Sequence, residues 1–122
     1  MTTALVWTGV ALLGGAGAVC RFLIDRAVST RLKRGFPFGT LVVNISGALL
    51  LGFLAGLALS PHTALLVGTG FVGSYTTFST WMLEIQRLTE ERQVWPAAAN
   101  IVVSVALGLT AAWLGMWLGG RL

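Results

Sequence analysis

The sequence predicts an all-α membrane protein of four transmembrane helices, with a break in the third. Three observations carry this reading. First, 56% of the 122 residues are hydrophobic and only 10% are charged. An ordinary soluble domain carries about 25% charged residues, so an ordinary soluble globule and a disordered chain are both excluded. Second, the charges fall between long apolar runs, and the length suffices for four spans of about 20 residues each. Third, the third run is interrupted by glycines and hydroxyls, which hold a helix poorly. The mean hydropathy is +0.85. A net charge of +4 and a pI near 10.7 suit nucleic acid in principle. The placement of the charges argues against that partner and for a lipid bilayer.

The chain reads as one domain, residues 1–122, with spans at about 4–24, 38–59, 63–83 and 97–118. The first run starts near Ala4 and extends past Cys20 through Phe22, Leu23 and Ile24. No basic segment precedes it, as a signal peptide would require. The following segment, Arg21 to Arg34, is amphipathic and is expected to lie at the interface, where long basic side chains can snorkel. The second run ends at Ser60-Pro61-His62. On it, Asn44, Ala48, Gly52 and Gly56 recur every four residues and fall on one helix face. The fourth run opens at Pro96, a residue suited to a first helical turn, and closes at Gly119-Gly120-Arg121. It repeats the pattern with Asn100, Ser104, Gly108, Gly115 and Gly119. Small residues let helices approach closely, and an asparagine can hydrogen-bond across the contact.

The third run reads Gly68-Thr69-Gly70-Phe71-Val72-Gly73-Ser74-Tyr75-Thr76-Thr77-Phe78-Ser79-Thr80-Trp81. Gly73 and Ser74 favour a break. Irregular backbone at membrane depth is tolerated only where it is buried in protein or lines water. There its carbonyls and N–H groups become ion ligands.

The basic residues carry a topology signal. Arg21, Arg26, Arg31, Lys33 and Arg34 follow the first span, and Arg87 and Arg92 follow the third. With four spans, these seven share one side, and only Arg121 lies on the other. Lys/Arg bias places both basic loops in the cytoplasm and both termini outside.

The chemistry open to such a chain is narrow. Asp25, Glu84, Glu90 and Glu91 lie at span ends or in loops. A proton-coupled exporter needs a titratable group in the bilayer, which counts against a small multidrug-type transporter. The single His62 and single Cys20 stand far apart and form no convincing metal or catalytic pair. No Ser/His/Asp set can converge, so the chain is not expected to be an enzyme. Hydroxyls, amides, aromatic edges and backbone dipoles remain. Most of them are donors, and such groups solvate a small anion without reacting with it.

Three segments then resemble the Fluc (CrcB-like) family of bacterial fluoride channels. Gly14 to Phe22 is similar to its first-helix signature, glycines followed by Gly-Ala-x-x-Arg-aromatic. Phe38-Gly39-Thr40-Leu41-Val42-Val43-Asn44 resembles its Gly-Thr-Leu-x-Val-Asn entry to the second helix. Gly70 to Trp81 resembles its third-helix block ending Thr-Thr-Phe-Ser-Thr-Phe. The resemblance covers essentially the whole chain.

The resemblance implies an antiparallel dimer with two fluoride pores along the interface, in the bacterial inner membrane. It implies passive export of trapped cytoplasmic fluoride and hence fluoride resistance. It also implies a structural sodium ion at the dimer centre, held by backbone carbonyls that match Gly73 and Thr76. Pore-lining positions match Asn44, Phe78, Ser79, Thr80, Trp81 and Ser104, and Arg21 matches a vestibule position.

Two residues depart from the pattern. Trp81 stands where the family has a phenylalanine, and Asn100 stands where it often has a tyrosine. The seven-to-one charge split also bears on assembly. An antiparallel homodimer needs one sequence to insert both ways, whereas a strong bias favours pairing with an inverted homologue. A silent accessory subunit of such a pair is a further alternative.

Overall fold

The computed structural model describes residues 2–32 and 36–122. Lys33 and Arg34, counted in the charge split, lie outside the described residues. The chain is all-helical, with no strand among the described residues. Helix α1 spans Thr3–Arg31 and α2 spans Phe38–Gly56. Helix α3 covers residues 61–75, α4 spans Ser79–Glu90 and α5 spans Val94–Gly120. Helices α1, α2 and α5 are each long and apolar enough to cross a membrane.

Thr2 caps α1, its side chain accepting from the Leu5 N–H. This satisfies one of the donors a helix start leaves free. No Gly or Pro interrupts residues 21–31. The amphipathic segment is therefore helical through Arg31, continuous with α1. Helix α2 stops at Gly56, and Ala58 takes a left-handed φ of 53°. Ser60 and Pro61 then start α3, the Ser60 hydroxyl accepting from the Thr63 N–H. In α5, Pro96 sits in the first turn, where no intrahelical acceptor awaits its missing N–H.

Helix α3 is irregular along its length. After Pro61–Ala64 it widens into a π-helix over Leu65–Val72, and it closes with Gly73–Tyr75. A π-bulge of this kind is rare and is found mostly at functional sites. Beyond Tyr75, Thr76 turns to extended backbone at φ −82°, ψ 161°. The helix resumes at Ser79 as α4. The break thus exists, but at residues 76–78. Gly73 and Ser74 themselves are still helical.

The glycines at the far ends of the two rows, Gly52, Gly56, Gly115 and Gly119, form a packing surface. Helices α2 and α5 form the most extensive pair. A Cβ on Gly52 would collide with the Ala112 carbonyl, and one on Gly119 with the Phe53 carbonyl. On Gly115 it would meet the Leu49 carbonyl. Backbone therefore touches backbone along this seam, as close helix association in lipid requires. Helix α1 packs on the π segment by the same device, with Gly17 against the Phe71 carbonyl.

Candidate functional site

Breaking a helix strands backbone groups, so the first question is where those of residues 73–78 go. The Thr76 N–H and hydroxyl both donate to the Val72 carbonyl, at 3.0 and 3.1 Å. The Ser74 carbonyl accepts from Arg21 Nε at 3.3 Å. The Thr77 N–H donates to Asn44 Oδ1, and the Thr77 carbonyl accepts from Asn44 Nδ2, both at 2.9 Å. The Thr77 hydroxyl accepts from the Thr80 N–H at 3.2 Å, taking up one of the donors that the first turn of α4 leaves free. Among the described residues, no donor reaches the carbonyls of Gly73, Tyr75 or Thr76.

Three cavities surround the break. A groove of about 570 Å³ runs along α2 and α3, and its lining includes Asn44, Gly73 and Thr76. A second, of about 300 Å³, is lined by Asn44, Trp81, Ser104 and Gly108 among others. A small one, about 20 Å³, is bounded by Arg21, Asp25, Thr40, Thr77 and Thr80. Asn44 lies between the two larger spaces. The structure therefore gathers Asn44, Trp81 and Ser104 at one cavity and Arg21 with Thr80 at another. Phe78 is 69% exposed and meets the Trp81 ring edge-on, with centroids 5.8 Å apart. Ser79 is exposed and lines none of these three cavities.

One hydrogen-bonded cluster escaped sequence reasoning. The Trp81 indole N–H donates to Asn100 Oδ1 at 3.2 Å, and the Ser104 hydroxyl donates to the same oxygen at 3.0 Å. Both departures from the family pattern therefore meet in one contact. The available signal was chemical: a buried indole N–H needs an acceptor. A second unforeseen contact ties the Tyr75 hydroxyl to Ser46 at 2.8 Å, which anchors the end of α3 on α2.

Just past the third apolar run, Glu84 is half-buried, and its Oε1 has no partner among the described residues. Burial pushes its carboxyl above the ordinary glutamate value; the Thr40 hydroxyl pulls it back, Asp25 adds to the rise and Arg87 opposes it.

Fold and site define the class first: a small helical membrane protein whose neutral polar groups gather at a helix break. The particular family follows from comparison. The family model described as CrcB-like protein, Camphor Resistance (CrcB), matches residues 8–116. The chain belongs to that family, which is one of ion channels and not of enzymes. It is 68% identical over 116 residues to a protein of Mycobacterium tuberculosis (strain H37Rv) named Fluoride-specific ion channel FluC 2, covering 95% of this chain and 92% of that one. A protein of the same name from Mycolicibacterium paratuberculosis is 68% identical over 118 residues, 97% of each chain. Fluoride-specific ion channel FluC 1 of Symbiobacterium thermophilum is 43% identical over 119 residues, 93% of this chain and 96% of its own.

Proposed function

We propose that the chain forms a fluoride-selective anion channel of the bacterial inner membrane, releasing cytoplasmic fluoride passively and lowering its toxicity. The observation that carries this is the near full-length match to relatives named fluoride-specific ion channels. The donor chemistry agrees with it. Fluoride is a small acceptor-only ion, and the cavity beside Trp81 is lined by Asn44, whose amide keeps one proton beyond its bond to the Thr77 carbonyl. Neutral donors of this kind replace hydration without titrating. Asn44, Phe78, Ser79, Thr80, Trp81 and Ser104 make up the proposed path. Arg21, fixed by the Ser74 carbonyl, supplies positive charge near one end.

The working form is an antiparallel dimer with a structural sodium ion. The carbonyls of Gly73 and Thr76 suit that ion. Both are free of protein donors among the described residues, and Gly73 and Thr76 both line the open groove. Carbonyl oxygens are fitting ligands for a hard cation. The seven-to-one split of basic residues favours one fixed orientation, hence pairing with an inverted homologue.

Fluoride efflux from liposomes containing only this chain, with chloride as control, tests the reading. Selective fluoride flux supports it and shows that the chain suffices alone. Flux that appears only with an inverted homologue selects the heterodimer. No fluoride flux in either preparation removes the channel reading, and a multidrug-type activity would then be tested by resistance assay.

A further inference from the structure

Tyr75 stands between Gly73 and Thr76, whose carbonyls no donor reaches among the described residues. With no hydrogen bond on either oxygen, their aim depends on how firmly the backbone between them is held. Tyr75 holds it. The residue is 6% exposed and ends the helical part of α3. Its backbone nitrogen lies against Gly17 of α1, where an added Cβ would stand 3.2 Å away. Its ring lies beside Gly47 of α2, where an added Cβ would stand 3.3 Å away. The same ring stacks on Phe71, with centroids 6.0 Å and planes 13° apart. Its hydroxyl meets the Ser46 hydroxyl at 2.8 Å.

The direction of that last bond follows from counting protons. Ser46 donates its single hydroxyl proton to the Val43 carbonyl at 3.1 Å. Tyr75 is therefore the donor to Ser46 Oγ. A chain of two hydrogen bonds thus runs from the Tyr75 ring through Ser46 into the backbone of α2. Apolar packing is non-directional and fixes only how close the ring lies. The hydrogen bond is directional and fixes its tilt, hence the set of the Tyr75 backbone.

We infer that Tyr75 and Ser46 are positioning residues for the sodium ion, together fixing the aim of the Gly73 and Thr76 carbonyls. This rests on the sodium reading above. Neither side chain lines the groove onto which Gly73 and Thr76 open, so both act through the backbone. Ligands already ordered before the ion arrives lose less freedom on binding it, and so bind it more tightly.

The experiment is thermal unfolding of the full chain in detergent, in whichever pairing assembles, over a series of sodium concentrations. N-methylglucamine replaces sodium at constant ionic strength. The rise of the midpoint with sodium gives the dissociation constant. A wild-type midpoint indifferent to sodium defeats the sodium reading and this inference with it. With the wild-type rise established, Tyr75→Phe is expected to raise the constant about threefold to tenfold, the span of one lost hydrogen bond. Ser46→Ala should do the same. The double variant should bind no more weakly than either single one, because both break one chain. Thr110→Val is the control, since that hydroxyl bonds within α5, to the Ala106 carbonyl at 2.8 Å. Its loss should move the midpoint equally with and without sodium and leave the constant unchanged. The inference is overturned if Tyr75→Phe binds sodium within about twofold of wild type, less than one hydrogen bond is worth. It also falls if the two single losses multiply in the double variant, or if Thr110→Val weakens sodium as much. Should Tyr75→Phe fail to assemble, Ser46→Ala decides by the same threshold.

Discussion

The side-chain amide of Asn44 pairs with both backbone polar groups of Thr77, each at 2.9 Å. It does for one residue what a neighbouring strand does in a sheet. Both backbone groups of Thr77, in the middle of the break, are thereby satisfied without water. The family resemblance implies a pore-lining Asn44; in the structure its amide holds the break.

Replacing Asn44 by leucine removes both bonds and orphans two backbone groups. Each is worth about 1–3 kcal/mol when buried. The expected result is a lower unfolding midpoint in detergent and faster amide exchange at Thr77. Asn44→Gln should not rescue, because its longer side chain cannot keep both bonds at one residue. Unchanged exchange at Thr77 in the leucine variant would count against the clamp.

The α2/α5 seam gives a paired test. Gly115→Ala places a methyl group against the Leu49 carbonyl, whereas a Cβ on Gly15 meets nothing within 4 Å. The first should destabilise by about 1–3 kcal/mol, as overpacking does. The second should be neutral or stabilising by about 0.5–1 kcal/mol, since alanine is the better helix former. Comparing their thermal midpoints isolates backbone contact from helix propensity.

Sodium removal probes the free carbonyls. Exchange of sodium for N-methylglucamine should lower both fluoride flux and the thermal midpoint, and restoring sodium should recover both. A midpoint indifferent to the exchange would leave Gly73 and Thr76 without the proposed ion.

Glu84 predicts a pH effect on stability with a definite sign. Its folded-state pKa is raised, chiefly by burial. The folded chain therefore binds this proton more tightly than the unfolded chain does. Stability falls as pH climbs from the ordinary glutamate value through the raised one, then levels off. Glu84→Gln should flatten that slope and be the more stable form at neutral pH. A steeper slope in the variant would reverse the assignment.

Much of the helical architecture was legible because its signals are local. Apolar runs marked α1, α2 and α5, and four-residue spacing marked the glycines that let α2 and α5 touch. The break was also legible as a glycine and hydroxyl block, but its position was not. Gly73 and Ser74 stay helical because Arg21 takes up the Ser74 carbonyl and Asn44 receives Thr77. Those partners come from other helices, and no local propensity encodes them. The Asn100 cluster was hidden for the same reason: Trp81 finds its acceptor across the α4/α5 turn.

The two side chains that receive the break, Arg21 and Asn44, both precede it in the chain. During synthesis the ribosome therefore delivers the sockets before the segment that fills them. Ser74 and Thr77 are thus made after the side chains that bond their backbone, Arg21 and Asn44. A circularly permuted chain that began at α3 would contain the same bonds but would expose the unpaired backbone first, to lipid or to the wrong partner.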